Sequence, residues 1–133
     1  MKVVIDTNVL LVANQQHSDV SADCVIACIG VLQRAENEGI VVLDDEFRIS
    51  NEYLKKTDIK PPKRPGEKKK KWLLRNTSNE RRVECVALTE KKNNFFEEFS
   101  DKKLQKQFDP PDRKFVATAC AHPDRPVIMQ AAD

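Results

Sequence analysis

Two aspartates stand where strand-like runs end. Val3, Val4 and Ile5 are a continuous β-branched run, the pattern of a strand buried on both faces, and Asp6 follows at its C-terminal tip. Residues 127–132 are a second such run, and it ends on Asp133. In open parallel α/β sheets ligands bind at the carboxyl ends of the strands. The chain therefore delivers a carboxylate to that edge from its first strand and again from its last. Carboxylates gathered there repel one another until a divalent ion sits among them. Mg2+ and Mn2+ are hard cations that take carboxylate oxygens and keep several waters. An ion so held polarises a phosphodiester oxygen, helps deprotonate an attacking water and stabilises the departing alkoxide. Asp6 also has a plainer use as a helix cap, but a cap alone does not account for Thr7 and Asn8 after it.

The elements that position these residues alternate. After the first strand, Thr7 or Asn8 can cap a short helix running to Ala13, with a break over 14–19. Ser21 is the expected N-cap of a helix over 22–37, in which Val25, Cys28, Ile29 and Leu32 follow the 3.6-residue period and Gly39 marks the stop. A second buried strand over 40–43 ends on Asp44 and Asp45. A helix over 46–56 should turn Phe47, Ser50, Tyr53 and Leu54 inward. Three prolines and a glycine make 58–66 irregular, and 68–76 reads as a short basic helix carrying Trp72. Residues 82–88 alternate like a strand. The stretch 94–108 reads as helix with Phe95, Phe99 and Leu104 inward, and Asp112 opens a helix to Ala121 after Pro110 and Pro111. Strands alternating with helices predict an α/β fold: a three-layer α/β/α arrangement around a central, mainly parallel sheet.

Composition limits the alternatives. A chain of 133 residues with 40% hydrophobic and 33% charged residues is one globular domain, 1–133, large enough to bury a core without disulfides. The net charge of +2 gives no global basic field to attract nucleic acid. The charge is local instead: nine Lys or Arg lie between Lys55 and Lys71 against two acids, in and around a Pro/Lys-rich basic loop at 58–71. Lys68, Lys69, Lys70 and Lys71 before Trp72 can track a phosphate backbone with a stacking face beside it, or form a solvated surface loop. No run approaches the roughly 18 apolar residues of a membrane helix, and no signal sequence opens the chain, so a cytoplasmic protein is expected. Cys24, Cys28, Cys85 and Cys120 include no C-x-x-C pair, and Cys24 and Cys28 read as small apolar residues of one helix face. His17 and His122 stand alone and read as surface residues.

The run Val4-Ile-Asp-Thr-Asn-Val-Leu10 resembles the opening motif of PIN-domain nucleases. Ile49-Ser-Asn-Glu-Tyr-Leu54 is similar to the helix carrying that family's second acid, and Asp112-Arg-Lys-Phe-Val-Ala-Thr-Ala119 to the third acidic site. Ile128-Met-Gln-Ala-Ala-Asp133 resembles the strand that delivers the fourth. The four pieces span the chain in the family's order. The resemblance implies a PIN-like fold in which Asp6, Glu52, Asp112 and Asp133 are catalytic and bind Mg2+ or Mn2+, with Thr7 and Asn8 supporting them. The activity it implies is metal-dependent endoribonuclease cleavage that leaves 5′-phosphate and 3′-hydroxyl ends. Its implied partners are an RNA substrate, an antitoxin protein if the chain is the toxin of a toxin–antitoxin pair, and a second copy in a homodimer.

The chain departs from the family pattern in its long basic segment from Leu54 to Phe108, and in reaching the fourth acid at Asp133, after which family members usually add a strand. Arg48, Glu52 and Lys56 are spaced as a solvated ion-pair row, so Asp44, Asp45 and Asp109 compete with Glu52 for the second acidic position. Asp112 is equally suited to a helix start. Asn8 is either a helix-starting residue or a support for a ligand. Two other functions stay open: a PIN-like binding or scaffold module without catalysis, and a phosphoacceptor receiver domain suggested by Val41-Val-Leu-Asp-Asp45. The receiver pattern needs its acidic pair after the first strand rather than the second.

Overall fold

Strand β1 (Lys2–Ile5) is a central strand with parallel neighbours on both sides, and Val3, Val4 and Ile5 are completely buried. The computed structural model describes residues 1–16, 20–56 and 81–131. Within them, β1 pairs with β2 (Ile40–Asp44) on one side and with β6 (Val127–Met129) on the other, while β3 (Val83–Val86) extends the sheet beyond β2. The order is β3-β2-β1-β6, all parallel. Among the described residues five helices accompany the sheet: α1 (Thr7–Ala13), α2 (Ala22–Glu38), α3 (Arg48–Lys56), α4 (Lys102–Gln107) and α5 (Arg113–Ala121). This mixed α/β composition, with a four-stranded parallel sheet, is compatible with three α/β/α layers. No helix of the described residues is long and apolar enough to cross a membrane.

The punctuation of α2 follows the sequence. Ser21 accepts the Cys24 N–H at 3.1 Å, and the helix stops at Gly39. Gly39 ends it by close approach rather than by a left-handed turn: its φ is −103°, and a Cβ there would lie 3.0 Å from both the Cα and the carbonyl oxygen of Ala35. Helix α3 differs from expectation. It starts at Arg48 because Phe47 takes a left-handed φ of 63°, which turns its ring outward. Ile49 and Tyr53 are the residues this helix buries, and Leu54 is exposed.

The largest correction falls on 94–108. Asn93 and Asn94 both adopt positive φ, 63° and 61°, and this ends regular helix before it can begin. Phe95–Phe96 form the short strand β5, antiparallel to β4 (Glu90–Lys91). The buried Gln105 side chain acts as a further partner for β5, accepting the Phe96 N–H at 2.7 Å and donating to the Phe96 carbonyl at 3.3 Å. Helix begins at α4, where the Asp101 carboxylate accepts the Leu104 N–H. Leu104 itself is exposed, whereas Phe99 is buried and meets Phe108 edge to face at 5.5 Å. Phe96, Phe99, Leu88 and Ala117 form a second apolar cluster beside the main core of β1, β2, α1 and α2.

Charged residues near the start of β1 form a network. Lys2 Nζ reaches Asp124 at 2.7 Å and Glu84 at 3.2 Å, and His122 Nε2 lies 2.7 Å from Glu84. His122 is therefore buried, not the surface residue expected, because its ring also accepts the Asp124 N–H. The His122 hydrogen bond and then Lys2 hold the Glu84 carboxyl below its ordinary pKa, Lys2 does the same for Asp124, and the two acids raise Lys2, Asp124 first. The depressed carboxyls contribute stability above about pH 4 that is lost as pH falls through their folded values. The raised ammonium contributes below about pH 10 and loses its contribution as pH rises through its folded value. Lys2→Met should thus lower stability mainly between about pH 5 and 9, with the gap from wild type closing toward about pH 2. Urea unfolding across that range checks this; a gap of constant size down to the acid limit would contradict it.

Candidate functional site

The site is built around the joint between β1 and α1. Asp6 remains in extended backbone, φ −66° and ψ 144°, so its carboxylate turns back onto the helix that follows and accepts the Asn8 N–H at 2.9 Å. Asp6, not Thr7 or Asn8, is thus the cap; Thr7 and Asn8 are the first residues of α1. The Asp6 N–H donates to the Met129 carbonyl at 2.9 Å, which fixes the end of β6 beside it. Asp6 and Thr7 are buried, and Asn8 is half-buried.

Because Thr7 does not cap the helix, its hydroxyl is available to another element. Thr7 Oγ1 donates to Glu52 Oε2, which ties α3 to the start of α1. Glu52 is no member of a solvated row: its side chain is only 13% exposed, and Lys114 Nζ holds its other oxygen at 2.7 Å. Lys56 stands off at 4.0 Å, and Arg48 turns away to Asp44, Glu46 and Glu90. Lys114 also donates to the Pro111 carbonyl, so one ammonium joins α3 to the turn that precedes α5. Next to Glu52, the buried Tyr53 hydroxyl donates to the Ile5 carbonyl. Burial raises the Tyr53 pKa well above its ordinary value, and the charges of Asp6, Glu52 and Asp44 raise it further. Asp6 and Glu52 therefore act on the same buried hydroxyl.

The remaining acids divide by location. Asp112 is exposed, closes the 3-10 turn Pro110–Asp112 and sits at the N-cap of α5 without a side-chain capping bond, two residues before Lys114. Asp44 is fully buried and committed to the start of α3, its two oxygens accepting the Ile49 N–H at 2.9 Å and the Arg48 N–H at 3.0 Å. Asp45 and Asp109 are exposed. Asp133 lies outside the described residues, although Ile5 and Met129 are register partners and the chain beyond β6 continues from beside Asp6. Lys68 to Lys71, Trp72 and His17 also lie outside the described residues.

Asp6, Glu52 and Asp112 offer only oxygen donors, the chemistry that a hard divalent cation takes. Among the described residues no three His, Cys, Asp or Glu side chains are grouped so as to hold a metal ion. Lys114 supplies the positive charge at Glu52. Comparison with known proteins found no matching family model, no matching curated protein and no matching solved structure.

Lys114, one lysine among many, carries no signal in the sequence; Tyr53 is buried as its helical spacing predicts, but its bond to the Ile5 carbonyl is not legible there. Nor was it evident that Arg48, Glu90, Phe96, Pro111 and Lys114 would share a cavity of ≈ 190 Å³. The geometry does separate Asp44 from the other acids. Asp44→Ala should cost about 2–4 kcal/mol, since it leaves two backbone donors of α3 without their acceptor. Chemical denaturation measures this; a cost below about 0.5 kcal/mol would show that the start of α3 does not depend on it.

Proposed function

We propose that the chain is a metal-dependent endoribonuclease of PIN type, a hydrolase that cuts RNA phosphodiester bonds. The observation that supports this reading is the Thr7–Glu52 hydrogen bond, which brings an acid from α3 to the turn that presents Asp6, at the carboxyl end of a parallel sheet. Asp6, Glu52 and Asp112, joined by Asp133, are the residues that would hold Mg2+ or Mn2+. Such an ion, when bound, supplies charge neutralisation at the phosphodiester and a more acidic water. The chain's own groups do the positioning. Asn8 N–H orients the Asp6 carboxylate, Thr7 orients Glu52, and Tyr53 ties α3 to the end of β1. Lys114 places a cation where a phosphate could approach. Lys68 to Lys71 are proposed to contact the RNA backbone. A role as the toxin of a toxin–antitoxin pair, with an antitoxin partner and a homodimeric state, belongs to the same reading, as does a cytoplasmic location.

A second reading, a PIN-like binding or scaffold module without catalysis, is favoured by the Lys114–Glu52 pair, which already satisfies one of the acids. Cleavage assays separate the two. With Mn2+ and a single-stranded RNA, Asp6→Asn and Asp112→Asn should each lower cleavage by about 10²-fold or more while the fold survives, since each removes a charge and a strong oxygen donor. Asp45→Asn, at an exposed acid not proposed to hold the ion, should change little. Equal cleavage by wild type and both variants, with contaminating nuclease excluded, would overturn the mechanism; a wild type that neither cleaves nor binds Mn2+ would favour the scaffold.

A further inference from the structure

We propose that Lys114 is the internal counter-ion of this site: it holds the Glu52 oxygen that a divalent ion would use, and so sets the affinity for that ion. The inference rests on the metal-dependent reading above and adds a residue to it. Lys114 Nζ lies 2.7 Å from Glu52 Oε1, and both side chains are only 13% exposed, so the pair is shielded from the solvent that weakens surface ion pairs. The other Glu52 oxygen is taken by Thr7. Both Glu52 oxygens thus carry a partner, and a divalent ion ligating Oε1 must share that oxygen with the ammonium or displace it.

Lys114 is placed to leave without unfolding its surroundings. Its Nζ also bonds the Pro111 carbonyl and lies 5.0 Å from the Phe115 ring centroid. The same side chain borders the ≈ 190 Å³ cavity shared with Arg48, Glu90 and Phe96. An ammonium released from Glu52 therefore has a carbonyl, a ring face and open space beside it. The positive charge also offsets the mutual repulsion of Asp6 and Glu52, both of which act on Tyr53. Without it, the acids would favour any divalent cation more strongly.

Calorimetric titration with Mn2+ alone tests this on the full chain and three variants. K114M keeps the apolar stem over Phe115 and removes the charge; it should bind Mn2+ about tenfold more tightly or better than wild type. It should also melt at a lower temperature in EDTA and recover when Mn2+ is added. K114R keeps the charge and should bind close to wild type, and K114Q serves as the neutral variant should K114M fold poorly. Equal or weaker Mn2+ binding by both neutral variants would overturn the role of Lys114 while leaving the nuclease reading to the cleavage assay. Absence of Mn2+ binding in every protein would overturn both.

Discussion

A carboxylate buried at the end of a parallel strand must be given partners, and the way Asp6 obtains them sets the geometry of everything around it. The strand ends in extended backbone, so the side chain can reach the first N–H groups of α1, where the helix dipole favours negative charge. The Asp6 N–H is meanwhile used to secure β6. One residue thus joins two strands and a helix. Its position also decides the role of Thr7, which is left free to reach α3 through Glu52.

From that joint the site is assembled by polar bonds laid over an apolar core. Val3, Val4, Ile5, Leu10, Val41 and Leu43 are fully or almost fully buried and hold the strands in register. The polar links then orient α3 and α5: Tyr53 to the Ile5 carbonyl, Thr7 to Glu52, and Lys114 to Glu52 and Pro111. Tyr53 joins α3 to the end of β1, and the other links join α1, α3 and the start of α5 to one another, so ordering the site and docking these helices are coupled. Arg113 does related work on the outer side of α5. Its buried guanidinium donates to the Gln105 and Asn93 carbonyls and stacks over Phe95 at 4.1 Å, which ties the β4–β5 hairpin and α4 to the helix that follows Asp112.

Much of the sheet was legible in the sequence because a parallel strand buried on both faces leaves an unbroken β-branched run, as at Val3–Ile5 and 40–43. The N-cap at Ser21 and the stop at Gly39 were legible for equally local reasons. The segment 94–108 was not. Its phenylalanines have helical spacing, but two adjacent asparagines in left-handed backbone and the Gln105 side chain, nine residues from Phe96, convert it to a hairpin and a short helix. The place of Asp6 at the end of the first strand could be read from the sequence. The fate of Glu52 could not, because Thr7 lies 45 residues away from it and Lys114 lies 62 away. Asp44 and His122 were misjudged or left open for the same reason: their partners depend on how the elements meet.

The central proposal is that Asp6, Glu52 and Asp112 take up one divalent ion at the carboxyl end of the sheet, with Lys114 paired to Glu52. Paramagnetic broadening of backbone amide signals by substoichiometric Mn2+ tests it most directly. The amides of Thr7, Asn8, Tyr53 and Arg113 should broaden first, while those of Lys2 and Asp124, at the opposite end of the strands, stay sharp. Broadening centred on Lys2, Glu84 and Asp124, or spread evenly over the exposed acids, would contradict the claim.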